Sequence, residues 1–197
     1  MQENSETVIF AEIKTENMKT VFALVSFLLV ANLSHAQAFE KGRNYIHFGF
    51  GTGPSGVGSA NNLFYNYGVS IGIIAGYERG ITEKLGIGRI GAGGLIGQSF
   101  QSFQSYELFN SGWISTTSLV GRAAYHFDFN IDKMDVYAGI GAGVNIPTGK
   151  YKTISTNSLI QPNIFAGIRY YFTSEMAVYG ELGYGASTIN IGLVYRL

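Results

Sequence analysis

Asp135-Val-Tyr-Ala-Gly-Ile140-Gly-Ala-Gly-Val-Asn145-Ile146 decides how this chain is read. Its even positions are Val136, Ala138, Ile140, Ala142, Val144 and Ile146. Its odd positions are Asp135, Tyr137, Gly139, Gly141, Gly143 and Asn145. Strict alternation marks a β-strand with two unlike faces, because successive side chains leave a strand on opposite sides. The unusual feature is the second face. It is mostly glycine, with a few charged or amide groups, and that is a poor surface to show to water.

The pattern recurs along the chain. At 44–51, Ile46, Phe48 and Phe50 oppose Tyr45, His47 and Gly49. At 67–78, Tyr67, Val69, Ile71, Ile73, Ala75 and Tyr77 oppose Gly68, Ser70, Gly72, Gly76 and Glu78. At 113–127, Trp113, Leu119, Ala123, Tyr125 and Phe127 oppose Ser118, Arg122 and His126. At 160–172, Ile164, Ala166, Ile168, Tyr170 and Phe172 oppose Gln161, Asn163, Gly167, Arg169 and Tyr171. Segments 176–185 and 188–197 behave alike, with Val178, Leu182 and Tyr184 against Tyr179, Glu181 and Gly183, and Ile189, Ile191, Leu193 and Tyr195 against Asn190, Gly192 and Arg196. Segment 84–97 is less regular. Ile90, Ala92, Gly94 and Ile96 share one face, and Arg89, Gly91 and Gly93 the other, but Leu85 and Ile87 break the pattern.

Eight strands of about ten residues, tilted about 40°, would each rise roughly 25 Å, the height of an outer-membrane apolar band. A soluble sandwich alternates too, but turns its polar face outward. Glycine suits the lining of a narrow barrel, where bulkier side chains would collide. The expected fold is therefore all-β, an eight-stranded antiparallel transmembrane up-and-down barrel. The connections Arg79–Glu83, Asp128–Lys133 and Thr173–Glu175 are short, whereas Thr52–Asn66 and Gln98–Gly112 are long and Pro147–Asn157 is intermediate. Short turns on one rim and long loops on the other fit such a barrel. Ala186-Ser187 is an exception, a tight turn on the long-loop side. Aromatic residues gather at both rims, as amphipathic rings do at membrane interfaces: Tyr77, Phe127, Tyr170, Phe172 and Tyr195 at one, Phe50, Tyr67, Trp113 and Tyr184 at the other.

Composition narrows the remaining choices. The 197 residues carry 13 Lys+Arg against 13 Asp+Glu, so there is no basic excess of the kind nucleic-acid binding needs. Charged residues are 13% of the chain, half the share of about 25% usual in soluble domains. There is no Cys, which removes disulfides, thiol nucleophiles and thiolate metal sites. Residues 1–36 read as a leader: a 17-residue acidic extension, then a signal peptide over 18–36 with Lys19, the apolar run Val21–Ala31 and small residues Ser34 and Ala36 before the cut. All 27 glycines lie beyond it, in the barrel domain 37–197.

On the strand count, the loop asymmetry, the leader and the final strand Thr188–Leu197, the chain resembles the eight-stranded outer-membrane β-barrel family, the OmpA transmembrane-domain and OmpX-like proteins of Gram-negative envelopes. The resemblance implies export to the outer membrane, insertion by the barrel-assembly machinery through the last strand, and contact with membrane lipid and lipopolysaccharide. Leu197 stands where that family usually has a terminal aromatic.

Candidate chemistry is sparse. Gly86-Ile-Gly-Arg-Ile-Gly91 spells G-x-G-x-x-G, but no helical pattern follows to receive a pyrophosphate. Glu78, Arg89, Arg122, Arg169 and Glu181 share the inward face and are expected to pair as a lumen charge network, with Glu181 on Arg169 or Arg122. His47 and His126 face inward near opposite rims and are expected to be structural; no catalytic motif surrounds them. The chain is thus expected to have no catalytic residues, cofactor or metal, and to be a monomer. A structural or adhesion role is expected through loops 52–66 and 98–112, which mix Asn61, Asn62, Phe64, Tyr65, Phe100, Phe103, Tyr106 and Phe109. The alternatives are a soluble lipocalin-like barrel carrying a small ligand, a narrow pore, and a lipid-A-modifying barrel enzyme.

Overall fold

A computed structural model describes residues 39–54, 65–105, 110–148 and 160–197. The leader at 1–36, Asn61, Asn62 and Phe64 of the first long loop, and Tyr106 and Phe109 of the second lie outside the described residues. The strands are β1 (Asn44–Thr52), β2 (Tyr65–Tyr67), β3 (Ile71–Gly80), β4 (Gly88–Ser105), β5 (Asn110–Phe127), β6 (Met134–Thr148), β7 (Ile160–Tyr171), β8 (Met176–Tyr184) and β9 (Ile189–Arg196). Every pairing is antiparallel, and β1 joins both β3 and β9. The sheet thereby closes on itself and leaves no free edge around its waist. β2 and β3 are two parts of one stave, since both pair with β4. Between them, four steps from Tyr67 to Ile71 face three steps from Phe103 to Phe100, a one-residue bulge. The barrel has eight staves.

Its faces are inverted relative to a soluble protein. Ile140 is 68% exposed and Leu182 64%, as are most of the outward isoleucines, leucines and phenylalanines. Tyr45, Tyr137, Tyr171, Glu78, Asp135 and Arg169 are buried in the lumen. On β5 the apolar outer face runs from Phe127 to Leu119. It ends where Thr117 Oγ1 donates to Gln98 Oε1 at 2.7 Å. Ten residues of tilted strand cover about 25 Å, the height of a bilayer's apolar band. The barrel therefore presents the geometry of a transmembrane β-barrel.

Two expectations need correction. Leu85 and Ile87 break the alternation because they are not in a strand. They sit in the turn before β4, where Gly86 adopts φ +64° and the Leu85 N–H donates to the Gly88 carbonyl at 2.7 Å. Residues 98–112, expected as a loop, are largely strand: β4 runs to Ser105, and β5 starts at Asn110. Apart from Phe100, Phe103 and Gly112, the residues of these two strand ends are hydroxyls and amides, so hydropathy stops alternating although backbone pairing continues. In the same way, Tyr65 and Asn66 of the first long loop are strand, in β2 with Tyr67. The tight turn after β8 is present, with Gly185 at φ +107° and the Gly183 N–H bonded to the Thr188 carbonyl at 3.0 Å.

Space inside explains the glycines. A Cβ on Gly139 would overlap the Phe165 ring and the Ala123 carbonyl, whereas one on the outward Gly121 would meet nothing within 4 Å. Gly139→Val is expected to cost about 1–3 kcal/mol through overpacking. Gly121→Val should stay within about 0.5 kcal/mol of the parent. Urea titration of the folded band in lipid vesicles distinguishes the two; equal costs would contradict this assignment of the faces.

Candidate functional site in the barrel lumen

Strand alternation turns every second residue inward, and register decides which of them meet. Asp135 on β6 lies directly opposite Arg169 on β7. Arg122 on β5 has Gly93 on one side and Gly141 on the other. With no neighbouring side chains in its path, its guanidinium crosses the lumen to Glu181 on β8. Nη1 lies 3.0 Å from Oε1, and Nη2 lies 2.7 Å from Oε2, a bidentate pair. Tyr137 donates its hydroxyl to the same carboxylate at 3.1 Å, and the Arg122 guanidinium stacks 3.9 Å above the Phe165 ring.

A second cluster lies nearer the short-turn rim. Arg169, wholly buried, pairs closely with Glu78 Oε2 and reaches Asp135 Oδ2 through Nη1 at 3.3 Å. His126 bridges the same two carboxylates, with Nε2 2.9 Å from Glu78 Oε1 and Nδ1 2.9 Å from Asp135 Oδ1. A neutral imidazole has one N–H to donate. With a carboxylate oxygen 2.9 Å from each ring nitrogen, His126 makes both hydrogen bonds as a donor only when doubly protonated. Three carboxylates (Glu78, Asp135, Glu181) thus meet three basic side chains, Arg122, Arg169 and His126. His47 lies 3.6 Å from Glu78 Oε2 and 3.5 Å from Arg169 Nη2.

Of the expected network, the structure brings Glu78 to Arg169 and Glu181 to Arg122. Arg89 is placed differently. It opens β4 at the short-turn mouth, with Nη1 3.4 Å from Asp128 Oδ2 in the turn after β5. Lys84 Nζ also donates to Asp128 Oδ2, at 3.0 Å, and this hydrogen bond holds the Asp128 carboxyl below its ordinary range. That rim clamp is therefore complete at neutral pH and is lost as pH falls through the lowered value. The two histidines are not near opposite rims, as expected; both touch Glu78. Asp135, Tyr137 and Phe39 belong to the lumen cluster and were not in the expected network. The parity of Asp135 was visible in the sequence, but its pairing with Arg169 depends on register. The long-loop half of the lumen is lined by Ile74, Leu95, Val120 and Ala186 and by uncharged Ser99, Gln101, Thr116, Ser118, Asn145, Asn163 and Asn190. Among the described residues, no group of three His, Asp or Glu side chains is arranged to hold a metal ion.

Filled polar inside, apolar outside and closed all round, the molecule has the make-up of a transmembrane β-barrel. No family model matches the chain, and no curated protein does. Solved structures similar to it include a chain from the de novo design of transmembrane β-barrels, with a TM-score of 0.43, 12% identity, and coverage of 81% of this chain and 99% of that one. Another is the β-domain of the Bordetella autotransporter Brka, with a TM-score of 0.28, 12% identity, and coverage of 79% and 96%.

Breaking a buried ion pair strands a charge, whereas removing both partners need not. Arg122→Met and Glu181→Met are each expected to lower stability by about 3–5 kcal/mol, and the double variant Arg122→Met/Glu181→Met by far less than their sum. A urea double-mutant cycle measures this; additive losses would show that the two side chains do not interact.

Proposed function

We propose that this chain is an outer-membrane β-barrel of the small eight-stranded kind, akin to the OmpA transmembrane domain and OmpX. On this reading its lumen is shut and it works as a structural or adhesion protein through its long-loop face. The carrying observation is the pairing of an apolar outer wall with an interior filled by ion pairs. Such a wall belongs in lipid, and such an interior offers no wide aqueous path. The leader would direct export, the last strand would be read by the assembly machinery, and the outer surface would meet lipid and lipopolysaccharide.

The β4–β5 hairpin supports a surface role, because its strands continue past the Gln98–Thr117 bond that ends the apolar face. A lipocalin-like carrier is disfavoured by the exposed isoleucines and leucines outside and the ion pairs inside. A pore is disfavoured by the Arg122–Glu181 bridge across the lumen. Absence of catalysis is part of the proposal: His126 is clamped between two carboxylates and covered by the Phe39 ring, 3.5 Å away between centroids.

Expressed with its leader in a Gram-negative host, the protein should fractionate with outer membranes and stay there through carbonate washing. Purified and added to planar bilayers, it should give no conductance steps. Release into the soluble fraction would overturn the membrane reading. Steps abolished by Glu181→Ala would favour a gated pore.

A further inference from the structure

Residues 39–43 precede β1 and fold back over the short-turn mouth. Gly42, at φ +79°, makes the bend. Two backbone hydrogen bonds tie the segment to the end of β3: the Gly42 N–H to the Gly80 carbonyl at 2.8 Å, and the Gly80 N–H to the Arg43 carbonyl at 3.0 Å. The Glu40 N–H donates to the Tyr45 hydroxyl at 2.9 Å. Lys41 reaches Glu83 in the next turn at 3.3 Å. Phe39, only 3% exposed, enters the lumen from this strap. Its ring lies parallel to His126, at 3.5 Å and 3°, and stacks on Tyr45 at 4.7 Å.

The wall is thinned to admit the strap. A Cβ on Gly80 would overlap the Glu40 carbonyl oxygen, and one on Gly91 would lie 2.8 Å from Phe39 Cζ. The ring covers the most highly charged layer of the lumen, where His126, Glu78, Asp135 and Arg169 meet. The Phe39 ring stacks on the His126 ring, and excluding water there strengthens the ion pairs beneath. A core phenylalanine carried on a stave can leave only if the barrel opens. Phe39 instead sits on a five-residue strap outside the staves, held to β3 by two backbone bonds, so displacing it would break no pairing between staves.

We propose that residues 39–43 are a built-in, displaceable stopper for the short-turn mouth. Phe39 is its seal, and its position governs access of water and small solutes to the His126–Glu78–Asp135–Arg169 cluster. This concerns one mouth only and goes beyond the surface role proposed above. Through-flow stays blocked by the Arg122–Glu181 bridge, so silent bilayers neither support nor oppose it.

The chain has no cysteine, so one introduced thiol reports cleanly. Ala124 is buried, faces the lumen and lies opposite Gly91. In the folded mature protein, Ala124→Cys should react slowly with a charged methanethiosulfonate. Adding Phe39→Ala should speed labelling at least tenfold. Adding Gly80→Val, which crowds the Glu40 carbonyl but keeps Phe39, should do the same. Heat-modifiable gel mobility confirms that each variant is folded. An unchanged rate in both variants would overturn the proposal, as would a parent thiol that already labels as fast as the unfolded chain. If neither variant folds, the segment is core and not a stopper, which also overturns it.

Discussion

A charge inside an eight-stave barrel has little water to turn to, so it must be met by another charge. This constraint organises the lumen. Burying ions costs several kcal/mol each unless geometry and hydrogen bonds compensate. Here compensation comes from a bidentate arginine pair, an arginine between two carboxylates, and a histidine set between two carboxylates. Such pairs need long side chains to cross the lumen, and crossing needs empty space beside them. Gly93 and Gly141 flank Arg122, and Gly167 lies opposite Glu181. The glycine-rich inner face and the ion pairs are thus one feature: removing side chains at some positions makes room for large charged ones at others.

The outer wall follows from the same parity. Once the ions and glycines take one face, most isoleucines, leucines and valines of the same staves take the other, with Ile74, Leu95 and Val120 among the inward exceptions. Aromatic residues with polar handles finish the wall. The Tyr77 hydroxyl reaches Asn44 Oδ1, and the Tyr195 hydroxyl reaches Glu175 Oε2, both at the short-turn rim. Trp113, 69% exposed, stands beyond the polar Gln98–Thr117 contact at the other rim. A ring that is apolar in its body and polar at its tip suits such a boundary.

The faces of this barrel were legible in the sequence because period two is a local property. Val136, Ile140 and Val144 point outward, and Tyr137 and Asn145 inward, as the alternation predicts. The short turns were legible for the same reason. Residues 98–105 and 110–112 were not, because Ser, Gln and Asn dominate them and Phe100 and Phe103, three residues apart, do not keep period two where the backbone still pairs. The lumen partners were harder still. Parity tells that Arg122, Glu181, Arg169 and Asp135 face inward, but only register and stave order tell that Arg122 meets Glu181 across the barrel while Asp135 sits beside Arg169. Both histidines reaching one glutamate is a long-range outcome of the same kind. Phe39 belongs to no alternating segment, so nothing local marks it as a lumen residue.

The central claim is that the alternate faces of β6 look into lipid and into a filled lumen. Single nitroxide labels at Val136, Ala138, Ile140, Ala142 and Val144, compared with labels at Tyr137 and Asn145, test it in lipid vesicles. Collision with dissolved oxygen should be high at the five even positions and low at the two odd ones. High collision rates at Tyr137 and Asn145, with Ile140 protected, would contradict the account.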